Sequence, residues 1–247
     1  MNKDILLTGG NGFIGRNIKE LLEKDGWNIY SPSSNQVNLL VMEEVFTLFK
    51  GRSYYAIIHS AISGRKNYKS LDNNIFLENL KMFKNLFNFI EQTSIFINID
   101  SGISIGEGQR ILDSSNQEFG KVIPIIPYAH SKYCIAKIIK ESQKSINLRL
   151  WGCFGPNEEK NKFFSANIIN YINQKPIKIH KDKKMDFLHG NDLYKILTYI
   201  LNSKKQYFIN DINCVYNEKF KLSELGEIIN NLDSHKVKIL IENEYDS

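Results

Sequence analysis

Residues 4–16 read DILLTGGNGFIGR. A short apolar run over 4–8 leads into Gly9, Gly12 and Gly15, spaced G-x-x-G-x-x-G. Beyond them Ile14, Ile18, Leu21 and Leu22 recur at helical spacing. A strand, a glycine turn and an amphipathic helix in that order have a physical consequence. One glycine permits the tight turn, one lets backbone amides approach a pyrophosphate, and one lets the helix lie close on the sheet. The helix N-terminus then presents amides and a partial positive charge to the phosphates. Glycine-rich turns alone are common; between a first strand and a first helix this one predicts a dinucleotide site.

The same alternation continues outward from this turn. Residues 28–31, 54–59 (YYAIIH), 95–99 (IFINI) and 146–151 read as strands, and 42–50, 73–92 and 128–144 as helices. Near-continuous apolar strands alternating with helices predict an α/β fold: a doubly wound parallel sheet of Rossmann type, with helices on both faces. After Pro156 the rhythm changes. Helices are expected over 162–173, 191–202 and 222–232, and short strands over 177–180, 206–209 and 236–241. Residues 1–155 are expected to form the dinucleotide-binding domain, with 184–205 returning to it. Residues 156–183 and 206–247 are expected to form a small C-terminal substrate lobe.

Composition narrows the function classes. The chain has 247 residues, 42% hydrophobic and 24% charged, enough for a substantial core. Its net charge of +5 is small and scattered, which argues against a nucleic-acid partner. Only five of its basic residues are Arg, at 16, 52, 65, 110 and 149, so each forked donor counts. Cys134, Cys153 and Cys214 form no C-x-x-C pair and read as thiols in a reducing compartment. No apolar run approaches the ~18 residues of a membrane helix, and the opening run is too short for a signal peptide. These features predict a cytoplasmic protein with no membrane partner and no metal site.

The stretch after the second expected strand, IYSPSSNQVN at 29–38, holds no carboxylate. NAD sites usually place one there to bond the ribose hydroxyls. Without it, a 2′-phosphate meets no repulsion. Ser31, Ser33 and Ser34 could donate to that phosphate, and Arg16 begins the facing helix. NADP(H) is therefore the preferred cofactor. The loop contains no Arg, which leaves NAD(H) open.

Residues 127–132 read PYAHSK, with Tyr128 and Lys132 four apart on one helix face. A free phenol has a pKa of about 10. A nearby ammonium stabilises the phenolate, so the tyrosine can exchange protons as a general acid or base. Ser101 follows IFINI, so its hydroxyl should emerge at the carboxyl edge of the sheet, where open α/β folds bind ligands. Taken singly, Tyr-x-x-x-Lys is a common surface pair and a strand-end Ser is a common cap. Together with the glycine turn, Ser101, Tyr128 and Lys132 form the predicted catalytic group.

With these residues in view, the sequence resembles the extended short-chain dehydrogenase/reductase family, of the NAD-dependent epimerase/dehydratase type. The opening turn, HSA at 59–61, NLKMFKNLF at 79–87, DSGISIG at 100–106, PYAHSK, LRLWGCFGP at 148–156 and DFLHGNDL at 186–193 stand in the family order. The resemblance implies that Asn11, Phe13 and Ile14 of the turn, Asn38, Leu39, Ser60, Ala61 and Asn79 join the cofactor site, alongside Tyr128 and Lys132. It implies a substrate that is a nucleotide diphosphate sugar, contacted by Ser101, Gly102, Tyr128 and Phe154. It also implies a homodimer. The sequence departs from the family where Gly152 replaces an Asn before the G-P turn, Met185 an Arg, and Ile105 an aromatic. Diphosphate contacts must then come from elsewhere, with Lys162, Phe163, Phe164 and Lys183 as candidates.

Similar dehydratases carry an Asp-Glu pair after the active-site hydroxyl, and similar epimerising synthases a Cys. Here Gly102, Ile103 and Ser104 follow Ser101. This leaves hydride chemistry at one carbon. The expected function is NADPH-dependent reduction of the C4 keto group of a nucleotide-linked 4-keto-(6-deoxy) sugar, for surface polysaccharide or glycan precursors. An NAD-dependent 4-epimerase and a non-catalytic NADP-binding sensor or scaffold are the alternatives. Other histidines take plainer roles: His130 points away from the Tyr128 face, His59 packs, and His189 with Asp192 caps. The basic run at 181–184 reads as a solvated loop.

Overall fold

Strand residues alternate between the two faces of a sheet, and the two burial sets of this chain follow that period. The computed structural model of the chain describes residues 3–64, 69–106, 119–203 and 210–243. Its strands are β1 (Asp4–Thr8), β2 (Asn28–Tyr30), β3 (Ala56–His59), β4 (Ile95–Ser101), β5 (Ser145–Leu150), β6 (Cys153–Phe154), β7 (Ile177–Lys181), β8 (Lys184–Met185), β9 (Leu188–His189), β10 (Asp211–Cys214), β11 (Phe220–Lys221) and β12 (Ile239–Asn243). Its helices are α1 (Phe13–Lys24), α2 (Met42–Phe49), α3 (Asn73–Phe87), α4 (Pro127–Lys140), α5 (Phe163–Ile172), α6 (Gly190–Asn202) and α7 (Leu222–Asn230).

A six-stranded parallel sheet runs β2-β1-β3-β4-β5-β10. Ile5, Leu7, Ile58, Ile97 and Leu148 face Ile18 and Leu22 of α1 and Leu193, Leu197 and Ile200 of α6. On the other side Leu6, Ile57 and Phe96 meet α2, α3 and α4 through Val45, Leu48, Phe83, Leu86, Ile135 and Ile139. This is the doubly wound Rossmann-type sheet the sequence predicts. The chain leaves β1 for β2 on one side and returns to β3 on the other. The crevice beyond the carboxyl ends of β1 and β3 is therefore the switch point where such sheets take ligands. A separate core of Tyr171, Ile177, Ile179, Leu222 and Ile229 joins α5 and α7 to β7, which pairs with β12.

Several boundaries differ from the sequence reading. Residues 206–209 lie outside the described residues. The sixth strand of the sheet is β10, inside the segment 206–247 that the sequence predicts as part of the lobe. Its D-I-N-C pattern lacks an apolar run because Asp211 and Asn213 point at Arg149 of β5. Helix α4 stops at Lys140, not 144, because Asn210 Nδ2 donates to the carbonyls of Ile139, Lys140 and Ser142 at 2.9, 3.1 and 2.9 Å. These bonds satisfy acceptors that a helix end leaves open. Helix α3 stops at Phe87, and Phe89 turns inward to stack on Phe49 with ring centroids 4.1 Å apart.

Beneath α4, the strands are not apolar. Alternate positions of β4, β5 and β10 carry Asn98 and Asp100, Asn147 and Arg149, and Asp211 and Asn213, in matched register. Asn98 Nδ2 donates to Asn147 Oδ1 at 2.7 Å, and Asn147 Nδ2 donates to Asp100 Oδ2 and Asp211 Oδ1, each at 2.9 Å. Arg149, 0% exposed, donates from Nη2 to both oxygens of Asp211 and from Nε to Asp100 Oδ2. The Phe119 ring covers its guanidinium at 5.1 Å. Most of these buried polar atoms satisfy one another, and Asn98 Oδ1 and Asp100 Oδ1 are the exceptions in this layer among the described residues.

Helix α6 belongs to the sheet's core, so truncating it should weaken the whole domain. Leu197→Ala is expected to cost about 2–5 kcal/mol in urea unfolding. A loss below about 1 kcal/mol would mean α6 is not packed as described.

Candidate active site

The glycine turn forms at the switch point because no side chain fits there. Gly9 has φ +72°, and a Cβ on it would lie 2.6 Å from Ala61 N and 2.7 Å from the Ser60 carbonyl carbon. A Cβ on Gly15 would lie 2.2 Å from Gly9 O. Gly12 N donates to Gly9 O at 2.9 Å, closing the turn. Gly12 is also the N-cap of α1, and no side chain caps that helix. The first-turn amides thus face the crevice without a side-chain acceptor, a cradle that fits a pyrophosphate. Ser60 and Ala61 close its other wall by donating to Thr8 O at 3.2 Å and Thr8 Oγ1 at 3.4 Å. Asn11 and Arg16 are exposed on the rim, whereas Phe13 is buried and Ile14 half-buried against the sheet core.

The loop after β2 is more structured than its serines suggest. Ser31 lies directly over Gly10, where an added Cβ would fall 1.9 Å from its Oγ. Ser33 donates from N and Oγ to Gln36 Oε1 at 2.9 and 3.0 Å, so its hydroxyl proton is engaged in the turn. Ser34 is exposed and Leu39 half-buried. A carboxylate does reach this segment: Asn38 N donates to Glu44 Oε2 at 2.7 Å. The window 29–38 could not reveal it, because Glu44 arrives from α2.

Across the crevice, α4 lies against the end of β4. Lys132 Nζ donates to the Ile99 carbonyl at 2.7 Å, and the residue is only 6% exposed. Burial pushes the Lys132 ammonium pKa down, and the negative charge of Asp100 opposes that shift. Tyr128 is one helical turn away on the same buried face. Ser101 ends β4 and caps the short 3-10 turn Gly102–Ile105, accepting from Ile103 N at 3.5 Å. Asn79, placed in the cofactor site by resemblance, forms a bracket beside the crevice. It is 2% exposed, accepts from Ser63 N at 2.7 Å and donates to Ser63 O and Ser131 Oγ, each at 3.2 Å. Those bonds tie the loop after β3 to α4.

The space beside Ser101 is closed by a residue the sequence reading passed over. A Cβ on Gly102 would fall 2.0 Å from Trp151 Cε3, so the indole covers this position. Gly152 is likewise pinned, with Asp186 O at 2.8 Å and the Phe187 ring at 2.9 Å from an added Cβ. Phe154 stacks on Phe164 at 4.1 Å, and Phe163 stacks on Phe187 at 6.0 Å. Phe163 and Phe164 also pack on the lobe core. His189 caps α6 by accepting from Asn191 N at 3.2 Å. Asp192 bonds Lys195 at 2.8 Å and also the Tyr216 hydroxyl. Lys183 sits exposed in the turn between β7 and β8, where its carbonyl accepts from Leu222 N at 3.1 Å. Lys162 is the N-cap of α5, and half of its side chain is exposed. Among the described residues, no group of three His, Cys, Asp or Glu could hold a metal, and no helix is long and apolar enough to cross a membrane.

A Rossmann-type sheet with a glycine cradle at its switch point and a Tyr-Lys helix beside it defines a class of dinucleotide-dependent proteins. The chain belongs to the NAD dependent epimerase/dehydratase family, whose model matches residues 5–214. It is 23% identical over 266 residues to the GDP-L-colitose synthase of Yersinia pseudotuberculosis, covering 94% of this chain and 82% of that protein. It is 22% identical to the CDP-abequose synthase of the same organism, with 86% and 78% covered. In three dimensions it is similar to the GDP-mannoheptose C4 reductase of Campylobacter jejuni, solved with NADP bound. That TM-score is 0.81 at 18% identity, with 98% and 87% of the two chains covered.

His59 ends β3 beside this site, with Nδ1 2.8 Å from Thr8 Oγ1. Burial, and then the Lys132 charge, lower its pKa from 6.5 to about 3. The folded state therefore holds this imidazole neutral while the unfolded chain protonates it. The resulting stability is present above pH 6.5 and is lost as pH falls from there towards 3. The slope should approach about 1.4 kcal/mol per pH unit in that window. His59→Asn should flatten this acid limb in urea unfolding followed from pH 7 to pH 4. Equal slopes in both proteins would refute the assignment.

Proposed function

We propose that this protein reduces the C4 keto group of a nucleotide-linked 4-keto-(6-deoxy) sugar with NADPH. The observation that carries the reading is Lys132, buried and bonded to the carbonyl of Ile99, with Tyr128 above it and Ser101 ending the same strand. The glycine cradle would hold the pyrophosphate through the first-turn amides of α1. Ser31, Ser34 and Arg16 stand on the side where the adenosine ribose would lie. When bound, the reduced cofactor supplies the hydride that C4 accepts.

The residues of this chain do the rest. The Ser101 hydroxyl and the Tyr128 phenol orient the C4 oxygen by hydrogen bonding. The Tyr128 phenol then donates its proton to that oxygen as negative charge develops on it, completing the alcohol. The Lys132 ammonium favours the tyrosinate left behind, which regains a proton from solvent. One ammonium donor is used on Ile99, which fixes the lysine's position and still allows contact with a ligand hydroxyl.

Gly102 and Trp151 support reduction at one carbon over dehydration or epimerisation. An acid or thiol at position 102 would have to stand where the indole lies. The two curated relatives are named for GDP and CDP sugars. The homodimer, with α3 and α4 as its expected interface, is part of the same proposal.

The direct test offers 4-keto sugars of GDP, CDP, dTDP and UDP with NADPH and follows cofactor absorbance. Consumption with one of them is expected. No consumption with any, by protein that binds NADPH, would favour the sensor reading. Tyr128→Phe should lower kcat by about 100- to 10,000-fold with NADPH affinity retained. Retained turnover would remove Tyr128 from the chemistry. In deuterated water, hydrogen exchange at C3 or C5 should run no faster than without protein.

A further inference from the structure

We propose that Asp100 is a positioning residue that holds Lys132 as an ammonium, acting from a buried, charge-neutral cluster completed by Arg149 and Asp211. The inference rests on the role given above to Tyr128 and Lys132, and it concerns what keeps that lysine charged where water does not.

Three observations carry it. The first is placement. Asp100 follows Ile99, whose carbonyl accepts the Lys132 ammonium, and its side chain lies on the sheet face covered by α4. The second is the state of its two oxygens. Oδ2 accepts from Ser104 Oγ at 2.8 Å, Asn147 Nδ2 at 2.9 Å and Arg149 Nε at 3.2 Å. Oδ1 is fully buried and accepts no hydrogen bond among the described residues. The third is charge. Arg149 gives its bidentate contact to Asp211 and only Nε to Asp100. Two carboxylates therefore share one guanidinium, and the one held by Nε alone, Asp100, is next in the chain to the Ile99 carbonyl that accepts Lys132. Asp100, Arg149, Asp211 and Lys132 together sum to zero. A buried cluster is tolerable on that condition, because an unpaired charge in this layer would be strongly unfavourable.

The neighbours from the other elements leave this pairing uncontested. From β3, His59 is neutral above about pH 3. From α3, Asn79 is uncharged, and Glu78 bonds Ser63 Oγ at 2.5 Å. On α4, Tyr128 is the neighbouring titratable group on the same face. From β5 and β10, Arg149 and Asp211 are engaged with each other. Burial lowers the Lys132 pKa, and Asp100 is the charge that works against it. A purely structural Asp100, serving only to seat Arg149 and the Ser104 turn, would leave the lysine's titration alone.

The test reads the lysine directly, in cofactor-free protein. Lysine labelled with carbon-13 at Cε is followed by NMR from pH 6 to pH 11, and the Lys132 signal is assigned by its loss in Lys132→Arg. Asp100→Asn, close in shape, should lower the titration midpoint by about one pH unit or more. The alkaline limb of kcat should move down with it. An unchanged midpoint in folded Asp100→Asn overturns the proposal. If that variant does not fold, Asp211→Asn serves. It draws Arg149 towards Asp100 and should lower the same midpoint; no movement there is equally fatal. Failure of the catalytic reading looks different: Tyr128→Phe would still turn over, whatever the lysine's midpoint does.

Discussion

A hydrogen bond from the buried Lys132 Nζ to the carbonyl of Ile99 joins helix α4 to the end of β4, in the middle of the sheet. Ser101 terminates that strand, and Tyr128 lies one turn earlier on the same face of α4. The bond requires a cation to be buried, which is unfavourable in an apolar core. The protein meets that requirement by making the sheet polar there. Asn98, Asp100, Asn147, Arg149, Asp211 and Asn213 replace aliphatic residues on alternate positions of three strands. This polar layer belongs to the same construction as the site above it.

Opposite α4, the crevice is shaped by the absence of side chains. Gly9 and Gly15 let the end of β1, the start of α1 and the end of β3 approach within distances that no Cβ would tolerate. Thr8 joins the two halves: its hydroxyl contacts His59 and Ala61, and its carbonyl accepts from Ser60. Asn79 performs the corresponding task towards α4. Backbone geometry on one side and a buried ammonium on the other therefore face each other across the switch point.

The wall beyond Ser101 is defined by aromatic rings. Trp151 covers Gly102, and Phe187 and the Asp186 backbone fill the place of a side chain at Gly152. A family Asn could not simply be restored there. The stacked Phe154 and Phe164 continue this wall into the lobe. Lys183, by contrast, belongs to the lobe's own turn, where its carbonyl accepts from Leu222 N.

Local pattern in the sequence was enough for the sheet, its paired helix layers, the glycine cradle and the Tyr128–Lys132 face. Each is decided by spacing along a few residues: a period of two in strands, four in a helix, three between glycines. Contacts between distant segments escaped it. Asn210 ends α4, Glu44 reaches the loop after β2, β10 joins the sheet despite its polar residues, and Trp151 occupies the space over Gly102. The alternation I-N-I-D, I-N-L-R and D-I-N-C was a signal in plain sight, but it reads as half-exposed strand until the partner strands are in register. Charge neutrality, close packing and capping are properties of groups brought together by folding, so only the tertiary structure could assign them.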